Sequence, residues 1–149
     1  MGESLTEQTA LRLIARAEQS VFGLTRKLRK RGHSDSSIQI VIARLRETGL
    51  VDDRRYARLW LESRLNRASS PWRLRAALHA RGIDNDDADY AMEKTLDEDA
   101  EQQLLRRYVE KLNRKGKYEN PADAETARQL RYLLKSEGFS SSAVRRFFD

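Results

Sequence analysis

The frame Leu-x3-Leu-x3-Gly-x-Ser/Asp stands three times in this chain, at "LTRKLRKRGHS" (24–34), "LRAALHARGID" (74–84) and "LRYLLKSEGFS" (130–140). Leu24, Leu74 and Leu130 correspond, as do Leu28, Leu78 and Leu134, then Gly32, Gly82 and Gly138. Two leucines four apart share one face of a helix. The glycine that follows supplies the left-handed residue that ends the helix. Ser34, Asp84 or Ser140, two positions later, can cap the next helix through its side-chain oxygen. Beyond each cap the apolar positions also correspond: Ile38, Ala88 and Val144, then Val41, Ala91 and Phe147, then Ile42, Met92 and Phe148. Ile83 with Ala88, and Phe139 with Val144, occupy hydrophobic-staple positions. Such a repeat restricts the chain to helix–turn–helix units in series.

A further helix precedes each pair. Ala10, Leu13, Ile14 and Ala17 form its stripe in the first unit. Asp52 or Asp53 caps the second, which carries Tyr56, Ala57, Trp60, Leu61 and Leu65. Leu105, Tyr108, Val109 and Leu112 mark the third. The middle helices are expected to begin near Ser20, Ser70-Pro71 and Asn120-Pro121, proline being well suited to a first helical turn. The expected fold is all-α: an elongated, curved tandem array of three three-helix modules, at residues 1–50, 51–96 and 97–149. No stretch reads as a strand. The connections "ETGLVDD" and "TLDED" are short, and "NRKGKYENPADAE" is the loosest segment. A charged fraction of 35% with only two prolines suits exposed amphipathic helices arranged around small cores.

The absence of cysteine excludes thiol catalysis, disulfides and cysteine-ligated metals, and fits a reducing cytoplasm. No apolar run is long enough to span a membrane, and the first twenty residues lack a signal-peptide pattern. The two histidines, His33 and His79, have no matching ligand set and suit a surface or helix-end role. "DNDDAD" (84–89) is not a calcium loop, because Ala88 breaks the alternation, Asp89 replaces glycine and Thr95 replaces glutamate. It reads as a cap with favourable charge at a helix start. Gly116-Lys117 lacks the other residues of a phosphate loop. No catalytic residue, metal or cofactor is expected.

The net charge of +6 favours anionic partners. Arg26, Lys27, Arg29, Lys30 and Arg31 cover the helical face opposite Leu24 and Leu28. Every amphipathic helix needs a polar face, and cations suit a helix C-terminus. That accounts for one or two of them, not for the exclusion of every acid. Arg73, Arg75 and Arg81 stand on the equivalent helix of the second unit, and Arg128, Arg131 and Lys135 on that of the third. Modules repeating one orientation would line these along a discontinuous basic track, suited to phosphate or an acidic protein groove. Few aromatics interleave with them, so base stacking is not expected. Trp60, Trp72, Tyr56 and Tyr108 read as core or module-interface residues. Val144-Arg145-Arg146 is the one candidate for base reading on a third helix.

"GLVDDRRYARLWLESRLNRASSPWRLRAALHARGIDNDDADYAM" (49–92) resembles the central signature of RecX regulatory proteins. "ALRLIARAEQSVFGLTRKLRKRGHS" is similar to the opening of that family, and "KYENPADAETARQLRYLLKSEGFSSSAVRRFF" to its last module. The chain departs from the family at Lys27, Ala77 and Leu133, where glutamate is common, and at Ser69-Ser70, where glycine is common. The resemblance implies a cytoplasmic, all-helical, non-catalytic negative regulator of the RecA recombinase. Its expected partner is RecA and the RecA filament on single-stranded DNA. Filament growth, strand exchange, ATP hydrolysis and coprotease activity would fall. The basic residues named above would supply the contact, weak direct binding to bare DNA would be secondary, and the molecule would act as a monomer. A stand-alone nucleic-acid-binding module and a structural helical-repeat adaptor are the alternatives.

Overall fold

In the computed structural model, residues 2–116 and 123–149 are described, and among them every regular element is a helix. The order is α1 (Glu3–Arg16), α2 (Val21–Lys30), α3 (Asp35–Glu47), α4 (Asp53–Arg64), α5 (Pro71–Ala80), α6 (Asn85–Thr95), α7 (Glu98–Arg114), α8 (Ala124–Ser136) and α9 (Ser141–Phe148). Within each group of three, the outer helices pack on each other: α1 on α3, α4 on α6 and α7 on α9.

Local chemistry sets the ends. A side-chain oxygen of Ser20, Ser34, Asp52, Ser70, Asp84, Asp97, Asp123 and Ser140 caps α2 through α9 in turn, each accepting from an amide three residues on. Asp52, not Asp53, therefore caps α4. The third middle helix begins at Ala124, and the start expected at Asn120-Pro121 lies outside the described residues. Ala17 is the exposed C-cap of α1 rather than part of its apolar stripe.

The repeated glycine turn has one hydrogen-bond plan. The amides of His33, Ile83 and Phe139 donate to the carbonyls of Leu28, Leu78 and Leu134 at 3.2, 3.1 and 3.1 Å. This is the six-to-one closure of a helix end, and it needs a left-handed residue between. Gly32, Gly82 and Gly138 supply it, at φ 88°, 77° and 93°.

The apolar residues fall into two clusters. Ala10, Leu13, Leu24, Leu28, Ile38, Val41, Ile42, Leu45 and Val51 form the first, within the first module. The second is continuous through the other two modules, from Ala57, Leu61, Leu74 and Leu78 to Leu104, Leu105, Leu130, Leu134 and Val144. The chain exposes 9218 Å², against about 7,800 Å² for a compact monomer of 17.3 kDa, as an extended array requires.

His33 is a correction to the sequence reading. It is buried, and its Nδ1 shares a 2.8 Å hydrogen bond with Thr6 Oγ1. In the repeat frame it stands where Ile83 and Phe139 stand, at a staple position that packs inward. His79 does end a helix, with Nδ1 2.9 Å from the Ile83 carbonyl oxygen. Two of the acids of residues 84–89 are tied to neighbouring helices: Asp87 pairs with Arg54 at 3.0 Å and Asp89 with Arg75.

Candidate functional site: basic faces and module joints

Each module docks on the one before it through the same parts. The Arg81–Gly82 turn sits on the start of α2, where Ser20 Oγ lies 3.4 Å from the Arg81 carbonyl oxygen and Phe22 packs against Gly82. The Glu137–Gly138 turn sits on the start of α5 in the same way. There the Trp72 amide donates to the Glu137 carbonyl at 2.9 Å, and Ser70 Oγ donates to the Glu137 carboxylate at 2.7 Å. Arg73 Nε lies 3.7 Å from that carboxylate. So Phe22 and Trp72 are equivalent, and each meets the glycine of the next module.

Two further contacts cross the first joint. Asp53 Oδ1 accepts from the Val21 amide at 2.8 Å, and Arg55 reaches Glu18 at 2.6 Å. Desolvation pushes the half-buried Asp53 carboxyl above its ordinary pKa of 3.8. The Val21 amide opposes the shift, Asp87 and Asp84 add to it, and Arg46 subtracts.

These joints decide what the sequence-predicted cations are free to do. On α2, Arg26, Lys27, Arg29 and Lys30 line one shallow groove with Gly23. Arg29 pairs with Asp35 at 2.8 Å. Lys27 donates to Gln19 at 2.9 Å, and Arg26 lies over the Phe22 ring at 5.6 Å. Lys30 and Arg31 are exposed and have no side-chain partner among the described residues.

The second module is different. Arg73 belongs to the Glu137 joint, Arg75 pairs with Asp89, and Arg81 stacks 4.5 Å from the centre of the Trp60 ring. In the third module, Arg128 pairs with Glu125 at 2.8 Å and Arg131 stacks on Phe148 at 4.3 Å. Arg131 and Lys135 line another groove with Arg145 and Phe148. Eight of these eleven cations thus divide among separate grooves, and α2 holds the largest group free of carboxylates. Val144 is core at 2% exposure, which leaves only Arg145 and Arg146 of the base-reading candidate on the surface.

Of the four aromatics, Tyr108 is buried and Tyr56 and Trp60 are half-buried. Trp72 meets the neighbouring module through its amide and Cβ, yet its side chain leaves it 61% exposed. Sequence reasoning missed Arg64 and Arg67, which share a groove with Arg73 and Arg81 around Trp60. The available signal was the position of Arg64 four residues after Trp60, one turn along the same face. Among the described residues no three His, Cys, Asp or Glu side chains gather as a metal site. No described helix is long and apolar enough to cross a membrane.

Comparison with known proteins agrees with this architecture. Residues 8–45 match the family model described as RecX, first three-helix domain, and residues 52–92 match RecX, second three-helix domain. The regulatory protein RecX of Pseudomonas entomophila is 34% identical over 139 residues, covering 93% of this chain and 86% of that one. That of Treponema pallidum (strain Nichols) is 37% identical over 141 residues, covering 94% and 81%. The crystal structure of RecX from Lactobacillus salivarius superposes with a TM-score of 0.75 at 20% identity, covering 97% of this chain and 92% of that one. A second crystal structure of regulatory protein RecX gives 0.78 at 21% identity, covering 96% and 70%. With two of its modules matched in order and relatives aligned along nearly its whole length, this chain belongs to the RecX family of regulatory proteins.

Proposed function

We propose that the chain is a cytoplasmic, monomeric negative regulator of the RecA recombinase. It binds RecA filaments on single-stranded DNA and limits their growth, and strand exchange, ATP hydrolysis and coprotease activity fall as a result. The observation that carries this reading, beside family membership, is the face of α2. Four of its five cations, Arg26, Lys27, Lys30 and Arg31, meet no carboxylate among the described residues. A face of one sign on an extended array suits the groove of an acidic nucleoprotein filament. No catalysis is needed, because occupying surface is enough to shift an assembly equilibrium.

The test is DNA-dependent ATP hydrolysis by the cognate RecA, with this protein titrated in. Inhibition below one copy per RecA protomer is expected, and it separates blocked filament growth from capture of free monomers. Unchanged hydrolysis in the presence of folded protein would sink the proposal and leave the DNA-binding and adaptor alternatives.

A further inference from the structure

A groove on the second module is lined by four arginines and no acid. Arg64 closes α4, Arg67 follows it, Arg73 lies on α5, and Arg81 caps that helix. The Trp60 indole stands among them and carries two guanidiniums. Arg81 Cζ lies 4.5 Å from the ring centre, and Arg64 Cζ 5.3 Å.

Elsewhere on α4 the cations are matched. Arg54 reaches Asp87, Arg55 reaches Glu18, and Arg58 reaches Glu62. No carboxylate lies within ion-pair distance of Arg64, Arg67 or Arg81 among the described residues, and Arg73 has only Glu137 at 3.7 Å. Two donors on the same element, Trp60 Nε1 and Arg64 Nε, are buried without a partner among the described residues. Core packing gives no reason to gather like charges around one ring, because their repulsion opposes folding. Stacking on the indole does give Arg64 and Arg81 a held orientation before any ligand arrives. A cation fixed in advance loses less entropy on binding.

We infer that this groove is a phosphate-binding site. Guanidinium forks match pairs of phosphate oxygens, and a phosphate would relieve the repulsion among the four cations. The phosphate belongs either to a single-stranded nucleic acid or to a free anion. The inference shares Arg73 and Arg81 with the expected basic track and adds Arg64 and Arg67, but it does not depend on the regulatory reading, since phosphate binding needs no recombinase.

The experiment replaces Trp72 by Phe, which keeps a Cβ at the joint and leaves Trp60 as the one remaining tryptophan of two. Trp60 emission is then followed during titration with a short oligothymidylate, and separately with inorganic phosphate at matched ionic strength. A saturable change is expected. Arg67→Gln, at an exposed position, should weaken it roughly fivefold and lower the log–log salt slope by about 0.7, as for one lost phosphate contact on a single strand. Arg64→Gln with Arg67→Gln should weaken it further, with circular dichroism confirming native helix content. Saturation by oligothymidylate alone assigns the site to a strand, and saturation by both assigns it to any accessible phosphate. No saturable change with either probe, or equal affinity in the double variant, overturns the proposal. Phosphate binding without RecA inhibition would sink the regulatory reading alone, and RecA inhibition without phosphate binding would sink this site alone.

Discussion

Gly82 and Phe22 belong to different modules, yet a Cβ placed on Gly82 would overlap the Phe22 Cβ. The glycine therefore serves two purposes, a left-handed turn and a close approach. Gly49 has nearly the same φ, 78° against 77°, and nothing within 4 Å of such a Cβ. Gly49→Ala should cost about 1 kcal/mol, the conformational term alone. Gly82→Ala should cost a further ~1–3 kcal/mol from overpacking. Urea denaturation checks both, and on a Phe22→Gly background, which lacks the clashing Cβ, the cost of Gly82→Ala should fall toward that of Gly49→Ala while the latter is unchanged. Equal costs at the two glycines would contradict the joint described above.

Asp53 gives a pH-dependent prediction. Its folded pKa is raised, so the stability it contributes is fully present below the unfolded value and is lost as pH rises through the folded one. At neutral pH the ionised carboxylate is therefore a cost that Asn would not carry. Asp53→Asn retains an oxygen for the Val21 amide and should be at least as stable as wild type at pH 7, the gap closing below the ordinary Asp range. Asp53→Ala removes the acceptor and should lose about 1 kcal/mol. Thermal melts across pH 3–7 separate the two substitutions, and equal losses at pH 7 would refute the account.

Thr6 and His33 are a buried pair whose deletion should be non-additive. Thr6→Val leaves the imidazole unsatisfied and should cost about 1–3 kcal/mol. His33→Ile introduces the residue that the second module carries at the equivalent position. The double variant should lose less than the sum of the singles, because an apolar pair leaves no orphan polar group. A double-mutant cycle by urea denaturation measures this, and strict additivity would mean that the hydrogen bond contributes nothing.

The cations should separate into two classes. Lys30→Gln with Arg31→Gln removes groups without a carboxylate partner among the described residues, so stability should hold within about 0.5 kcal/mol. The midpoint for RecA inhibition should nevertheless rise roughly tenfold, as expected when a charged face is stripped. Arg73→Gln disturbs the Glu137 joint and should lower the melting temperature as well. Inhibition unchanged in the first variant would remove the α2 face from the proposed contact.

The helix boundaries were legible because they are written in neighbouring residues. Cap and glycine turn act within six positions, so Ser34, Gly82 or Ser140 announces its role without any knowledge of the rest. The joints were not legible. Asp53 reads as a second cap candidate beside Asp52, and only the packing of α4 on the first module turns it toward Val21. Glu137 looks like a solvent residue until Ser70 and Trp72 arrive from 67 and 65 positions away. The basic residues were easy to count and hard to sort, because pairing with Asp89, Glu125 or Glu137 depends on how helices cross. His33 could have been placed by its register with Ile83 and Phe139, a signal that its polarity obscured.

The two apolar clusters divide the molecule mechanically as well as chemically. Flexing the second joint would pry open a core running from Leu61 and Leu78 through to Leu130 and Leu134. Flexing the first would strain mainly two carboxylate contacts, the Ser20–Arg81 contact and the edge of Phe22. The second and third modules thus form a stiff lever, and the first is an arm on a compliant wrist. Laid against a helical track whose pitch changes, such a body would keep its longer part seated while the α2 face swivelled to follow.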